Sequence, residues 1–76
     1  MDELEQKRIL SRFYEIVAIE PITAIEYLKQ MVKDGLAGEW AVMVIGSGLE
    51  KASTLIVYAG QCLNRQIEEL SDITGR

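Results

Sequence analysis

The 76-residue chain contains no histidine, one cysteine and one proline, and aromatic residues make up only 7% of it. Each shortage removes a class of explanation. Without histidine there is no Cys/His set to hold zinc and no imidazole to activate a nucleophile. Cys62, standing alone, cannot close an intramolecular disulfide, and it fits a reducing compartment. Chains this small hide a modest share of their surface and usually need a disulfide, a metal or another chain to hold their fold. Association is the help that remains. Basic residues are also scarce, 8 against 12 acidic ones, for a formal charge of -4. That balance argues against a dedicated binder of duplex nucleic acid, which needs a basic surface to displace counterions. The residues from Met1 to Arg8 are strongly charged and acidic at first, so no export signal is legible. A cytoplasmic location is expected, in a bacterium or in one that carries a phage.

What is present is helical periodicity, enough for a single domain over 1–76. Ile9, Leu10, Phe13, Tyr14, Ile16 and Val17 recur at spacings of three and four, with Lys7, Arg8, Arg12 and Glu15 between them. That pattern predicts an amphipathic helix over about 2–20. Asp2, Glu3 and Glu5 fall in its first turn, where carboxylates favour the positive end of the helix dipole. Pro21 then either opens a second helix or kinks a continuing one, and Glu20, a poor N-cap by type, leans toward the kink. Ile22, Ile25, Leu28 and Val32, widened by Tyr27 and Met31, carry the second stretch to a stop at Asp34 and Gly35. Residues 35–38 read as a short turn between antiparallel neighbours.

The remaining segment reads two ways. Residues 40–45 and 55–58 around Gly46, Ser47 and Gly48 resemble two strands and a glycine turn. Against that, Val42, Ile45, Leu49, Ala52, Ile56, Ala59, Leu63, Gln66 and Leu70 alternate steps of three and four, with only Gln66 polar. Strands have no reason to keep such a register, so one helix over about 39–71 is expected, some 50 Å long at 1.5 Å per residue. Residues from Ser71 onward read as a fraying tail. The expected fold is all-α: a helical hairpin whose proline-kinked first half, 2–20 and 21–34, runs antiparallel to that long helix, in an oligomer.

Between Trp40 and Leu63 the only charged residues are Glu50 and Lys51, so the long helix would be apolar nearly all round. The first half can cover one side of it, and a second copy is the expected cover for the other. Val42, Ile45, Leu49, Ala52, Ile56, Ala59 and Leu63, with Tyr58, are the expected interface. Glu50 and Lys51 in mid-segment would be expensive in hydrocarbon, which argues against membrane insertion. Gly46, Ser53 and Gly60, seven apart, would stack as a groove where another helix crosses; two chance glycines and a loop account for them as well. Cys62 has no activating neighbour and reads as a small buried filler. The terminal carboxylates read as solvated helix ends, and Gly46, Ser47 and Gly48 lack the remainder of a phosphate loop. No enzyme activity, metal or cofactor is expected. Lys51, Thr54, Tyr58 and Arg65 bring donors and an aromatic face to one side, a row that suits a small anionic ligand or a plain solvated stripe.

Leu63, Asn64 and Arg65 followed by Ile67, late in the last helix of a helical hairpin, resemble the phage hairpin proteins that sequester cyclic nucleotide signals of bacterial defence systems. The resemblance covers about 15 residues, from Ala52 to Ile67. It implies an oligomer with nucleotide pockets between subunits, contacted by Thr54 and Arg65. The sequence thus leaves a non-enzymatic, self-associating protein that engages a protein target, as inhibitor, adaptor or chaperone, beside a sponge for small anionic nucleotides.

Overall fold

The computed structural model describes the backbone of residues 3–74 and the side chains of residues 3–69. Four helices are found there: α1 (Glu3–Val17), α2 (Pro21–Lys33), α3 (Glu39–Gly46) and α4 (Ala52–Thr74). The described residues contain no strand, so the two-strand reading of residues 40–58 is overturned. Asp2, the side chain of Leu70 and the residues after Thr74 lie outside the description. The helix expected to end near 71 runs on to Thr74.

Pro21 separates two helices rather than bending one. It occupies the first turn of α2, where a missing amide hydrogen costs nothing, and the preceding Glu20 is extended at φ -155° and ψ 106°. Glu20 caps the helix after all, its carboxylate accepting a hydrogen bond from the Ile22 amide at 3.3 Å. A longer side chain than the usual Asp or Ser thus fills the N-cap role. α1 and α2 pack on each other as two rods.

The single long helix over 39–71 is corrected to two, α3 and α4, joined by a loop over 47–51. Ser47 is the C-cap of α3, and its hydroxyl donates to the Val44 carbonyl at 2.7 Å while accepting from the Leu49 amide at 3.3 Å. Gly48 follows at φ +71°, the left-handed conformation that ends helices and that a side chain resists. The same device closes α2. There Gly35 sits at φ +73°, and the amides of Gly35 and Leu36 bond to the carbonyls of Val32 and Met31. The two stops differ in bonding, since the Leu49 amide goes to the Ser47 hydroxyl while the Leu36 amide returns to a helix carbonyl, and in context, since the apolar register carries on across Gly48 and ceases at Gly35.

The apolar stripes meet in one core. α1 contributes Ile9, Phe13 and Val17, α2 Ala24 and Leu28, α3 Trp40, Ala41 and Val44, and α4 Leu55, Ala59, Cys62 and Leu63. Trp40 and Phe13 are wholly buried, and hiding a large apolar side chain is worth about 1.5–3 kcal/mol. Each helix packs on the next in sequence and α4 returns to α1, so the four close a ring. Cys62 is a free, buried thiol in the core.

Two polar residues organise one end of the ring. Gln6, on the buried face of α1, donates to the Leu36 carbonyl and accepts from the Gly38 amide at 3.1 Å and the Trp40 indole Nε1 at 2.7 Å. Gly38 has no side chain with which to cap α3, and Gln66 of α4 supplies the missing acceptor to the Trp40 amide at 3.0 Å. The one polar member of the supposed heptad seam is therefore the cap of another helix. At mid-height Tyr14 crosses α4, its hydroxyl donating to the Ile56 carbonyl at 3.2 Å. A Cβ on Gly60 would lie 2.8 Å from that hydroxyl, so the crossing uses the missing side chain.

Candidate functional site

The other end of the ring, around the 47–51 loop, carries two openings lined by described residues. Because Gly48 turns the chain away from the axis of α3, Leu49 lies half-buried between the loop and the start of α4. On one side of it a groove of about 360 Å³ is lined by Ser47, Leu49, Thr54, Val57, Tyr58 and Gln61. None of the six is charged. On the other side a second cleft of about 360 Å³ reaches the start of α2 and also has Leu49 as a wall. Leu49 is the partition between them.

The expected interface residues fall into three groups. Val42 is exposed, with 50% of its surface open, and Ile45, Leu49, Ala52, Ile56 and Tyr58 are half-buried against the core. Ala59 and Leu63 are wholly enclosed by the chain's own helices, at 0% and 1% exposure, and a partner has no access to them. Their assignment to an interface is corrected: α4 turns these two residues onto α1 and α3, so the chain's own helices supply the cover there that a second copy was expected to give. On α3 the buried positions are Trp40, Ala41 and Val44, so the supposed seam through Val42 faces outward.

Of the expected ligand residues, Thr54 and Tyr58 line the uncharged groove together. Lys51 and Arg65 are exposed and line neither opening. Tyr58 holds its proton above the ordinary 10.0, first because the Cys62 sulfur beside its hydroxyl favours the protonated phenol, and then through burial; Arg65 pulls the other way. The phenol is thus a neutral donor at the groove wall, with a cation near it.

Gly46 does not join Ser53 and Gly60 in one small-residue stripe, since it lies in α3, across the break from the other two in α4. Only Gly60 marks a helix crossing, and the crossing helix is α1. Among the described residues no group of three or more His, Cys, Asp or Glu side chains is gathered to hold a metal ion. No helix there is long and apolar enough to cross a membrane. Sequence reasoning missed Gln6 and Val57. Gln6 had a signal, as it continues the Ile9, Phe13, Val17 stripe by one step of three; Val57 had none, because its exposure follows from the way α4 is turned.

No protein-family model matches the chain, and no curated protein or solved structure matches it either.

Proposed function

We propose that the chain acts by non-covalent association, docking the groove beside the α3–α4 loop against an apolar side chain of another chain, in the first instance a second copy. The observation that carries this reading is Val57. It stands 59% exposed on the wall of an opening whose other members, Leu49 and Tyr58 among them, bear no charge. An exposed apolar side chain at the lip of an uncharged opening is costly in water and gains from being covered. The protein works as a binding module, in the manner of an inhibitor, adaptor or chaperone, and needs no catalytic group.

Light scattering over a concentration series tests it. A defined oligomer is expected, and Val57→Asp is expected to shift it to monomer without loss of helical signal, because Val57 is outside the core. A protein that stays monomeric at every concentration, or a Val57→Asp variant that associates as before, overturns self-association. Ile56 is a poor probe by comparison, since it packs on the core and its carbonyl receives Tyr14.

A sponge for small anionic nucleotides is the second reading, favoured by the meeting of Thr54 and Tyr58 in one groove with Arg65 near the phenol. The lack of a cation in the lining weighs against it, as phosphates are usually met by charged or backbone donors. Such a ligand would raise the melting temperature, and a flat thermal-shift screen with di- and trinucleotides excludes it.

A further inference from the structure

The second cleft differs from the first in charge. Leu55 and Ile25 line its apolar part, Leu49 and Pro21 narrow it, and Ile22 stands on its rim with 72% of its surface open. Glu20 and Glu50 flank it from opposite elements, the α1–α2 corner and the α3–α4 loop, and no cation is in the lining. Among the described residues the ion pairs are Lys7 with Glu3, Arg12 with Glu15 and Lys29 with Glu26, so both flanking carboxylates lack a cationic partner. Glu20 uses one oxygen on the Ile22 amide and keeps the other open.

We propose that this cleft is a docking site for a cationic, apolar peptide segment: a leucine-sized side chain enters between Ile25, Leu49 and Leu55, and a lysine or arginine close by meets Glu50 and Glu20. Charge complementarity selects the occupant. Two uncompensated carboxylates on either side of an apolar floor repel an acidic segment, leave a neutral one without polar partners, and attract a basic one. The arrangement also explains why the corner tolerates an exposed Ile22 next to Glu20, since a segment lying across the cleft covers the first and pairs with the second. This site is separate from the groove at Val57 and shares only the Leu49 wall with it, so either can fail alone.

The test is a titration of the isotope-labelled protein, followed by amide shifts, with three amidated nonapeptides. One repeats lysine, leucine and alanine; the second has serine for leucine; the third has glutamate for lysine. The first is expected to give saturable shifts centred on Ile22, Ile25, Leu49 and Glu50. The serine peptide should bind about tenfold more weakly, the equivalent of one partly buried leucine, and the glutamate peptide should not bind. Glu50→Gln should weaken the first peptide about fivefold at low salt and less at high salt, where exposed charges are screened. Ile22→Ser should weaken it further. Equal binding of the leucine and serine peptides, shifts centred elsewhere, or no shifts at all overturn the proposal.

Discussion

The two ends of the helical ring are built on opposite principles. At the end that gathers the start of α1, the 34–38 connection and the start of α3, Gln6 is only 3% exposed and serves three partners at once, Leu36, Gly38 and Trp40. Gln66 adds a fourth tie from α4. At the end with the 47–51 loop, the hydrogen bonds stay within the loop and its own helices, from Ser47 to Val44, Leu49 to Ser47 and Leu55 to Lys51. The first end is tied by polar groups reaching across elements, and the second, whose described hydrogen bonds are local, carries the two openings at Leu49. Buried polar groups must be partnered, so an end that buries a glutamine and an indole has its geometry dictated. An end that leaves its polar atoms in water does not, and can receive a partner.

The largest effect should come from breaking the closed end. Gln6→Leu keeps the apolar stripe of α1 but leaves the Trp40 indole and the Gly38 amide without their acceptor and the Leu36 carbonyl without its donor. A buried group left unsatisfied costs about 1–3 kcal/mol, so a loss of about 3 kcal/mol is expected in urea unfolding, with Trp40 fluorescence shifted. A loss below about 1 kcal/mol would mean that the glutamine is a passenger and that the contrast between the ends is false.

A pair of glycines sharpens the contrast at the open end through the sign of the effect. Gly46 is helical and Gly48 is at φ +71°, and a Cβ would meet nothing within 4 Å at either. Gly48→Ala should destabilise by about 1–2 kcal/mol from left-handed strain alone. Gly46→Ala should stabilise by up to about 1 kcal/mol through helix propensity. In one continuous helix both would stabilise, so thermal unfolding of the two variants decides whether the chain breaks where the loop is drawn.

The smallest effect concerns the waist between the ends. Tyr14→Phe removes the hydroxyl that bonds to the Ile56 carbonyl, at a cost of about 1 kcal/mol. Gly60→Ala should be close to neutral, as helix propensity offsets the displaced hydroxyl. In the Tyr14→Phe background the same change should stabilise by about 1 kcal/mol, and the difference is the coupling a double-mutant cycle reads. Additive behaviour would show that the crossing at Gly60 is incidental.

Much of the helical content was legible in the residues. The stripe from Ile9 to Val17, Pro21 and the glycine at position 35 are local signals, and they predict helical stretches over about 2–20 and 21–34, close to the observed Glu3–Val17 and Pro21–Lys33, though with a kink at Pro21 where the chain has a break. The role of Gln66 was visible only as an anomaly, a polar residue in an apolar register. Thr54 and Tyr58 do meet in a groove, while Lys51 and Arg65, placed with them by spacing alone, stay outside it. Spacing locates residues on a cylinder and is silent about what lies against each side.

The sequence by itself determined the helical stretches on either side of Pro21, because periodicity and terminal signals act within a few residues, and it left open whether Pro21 bends or breaks the chain and whether residues 40–58 are helix or strand. Only the tertiary structure decided that Gly48 is a stop, that Trp40 faces inward while Val42 and Val57 face out, and that Ala59 and Leu63 belong to the chain's own core. The physical reason is the same in each case. An apolar helix has more than one face fit for burial, and the choice among them is made by the helices that arrive from elsewhere in the chain.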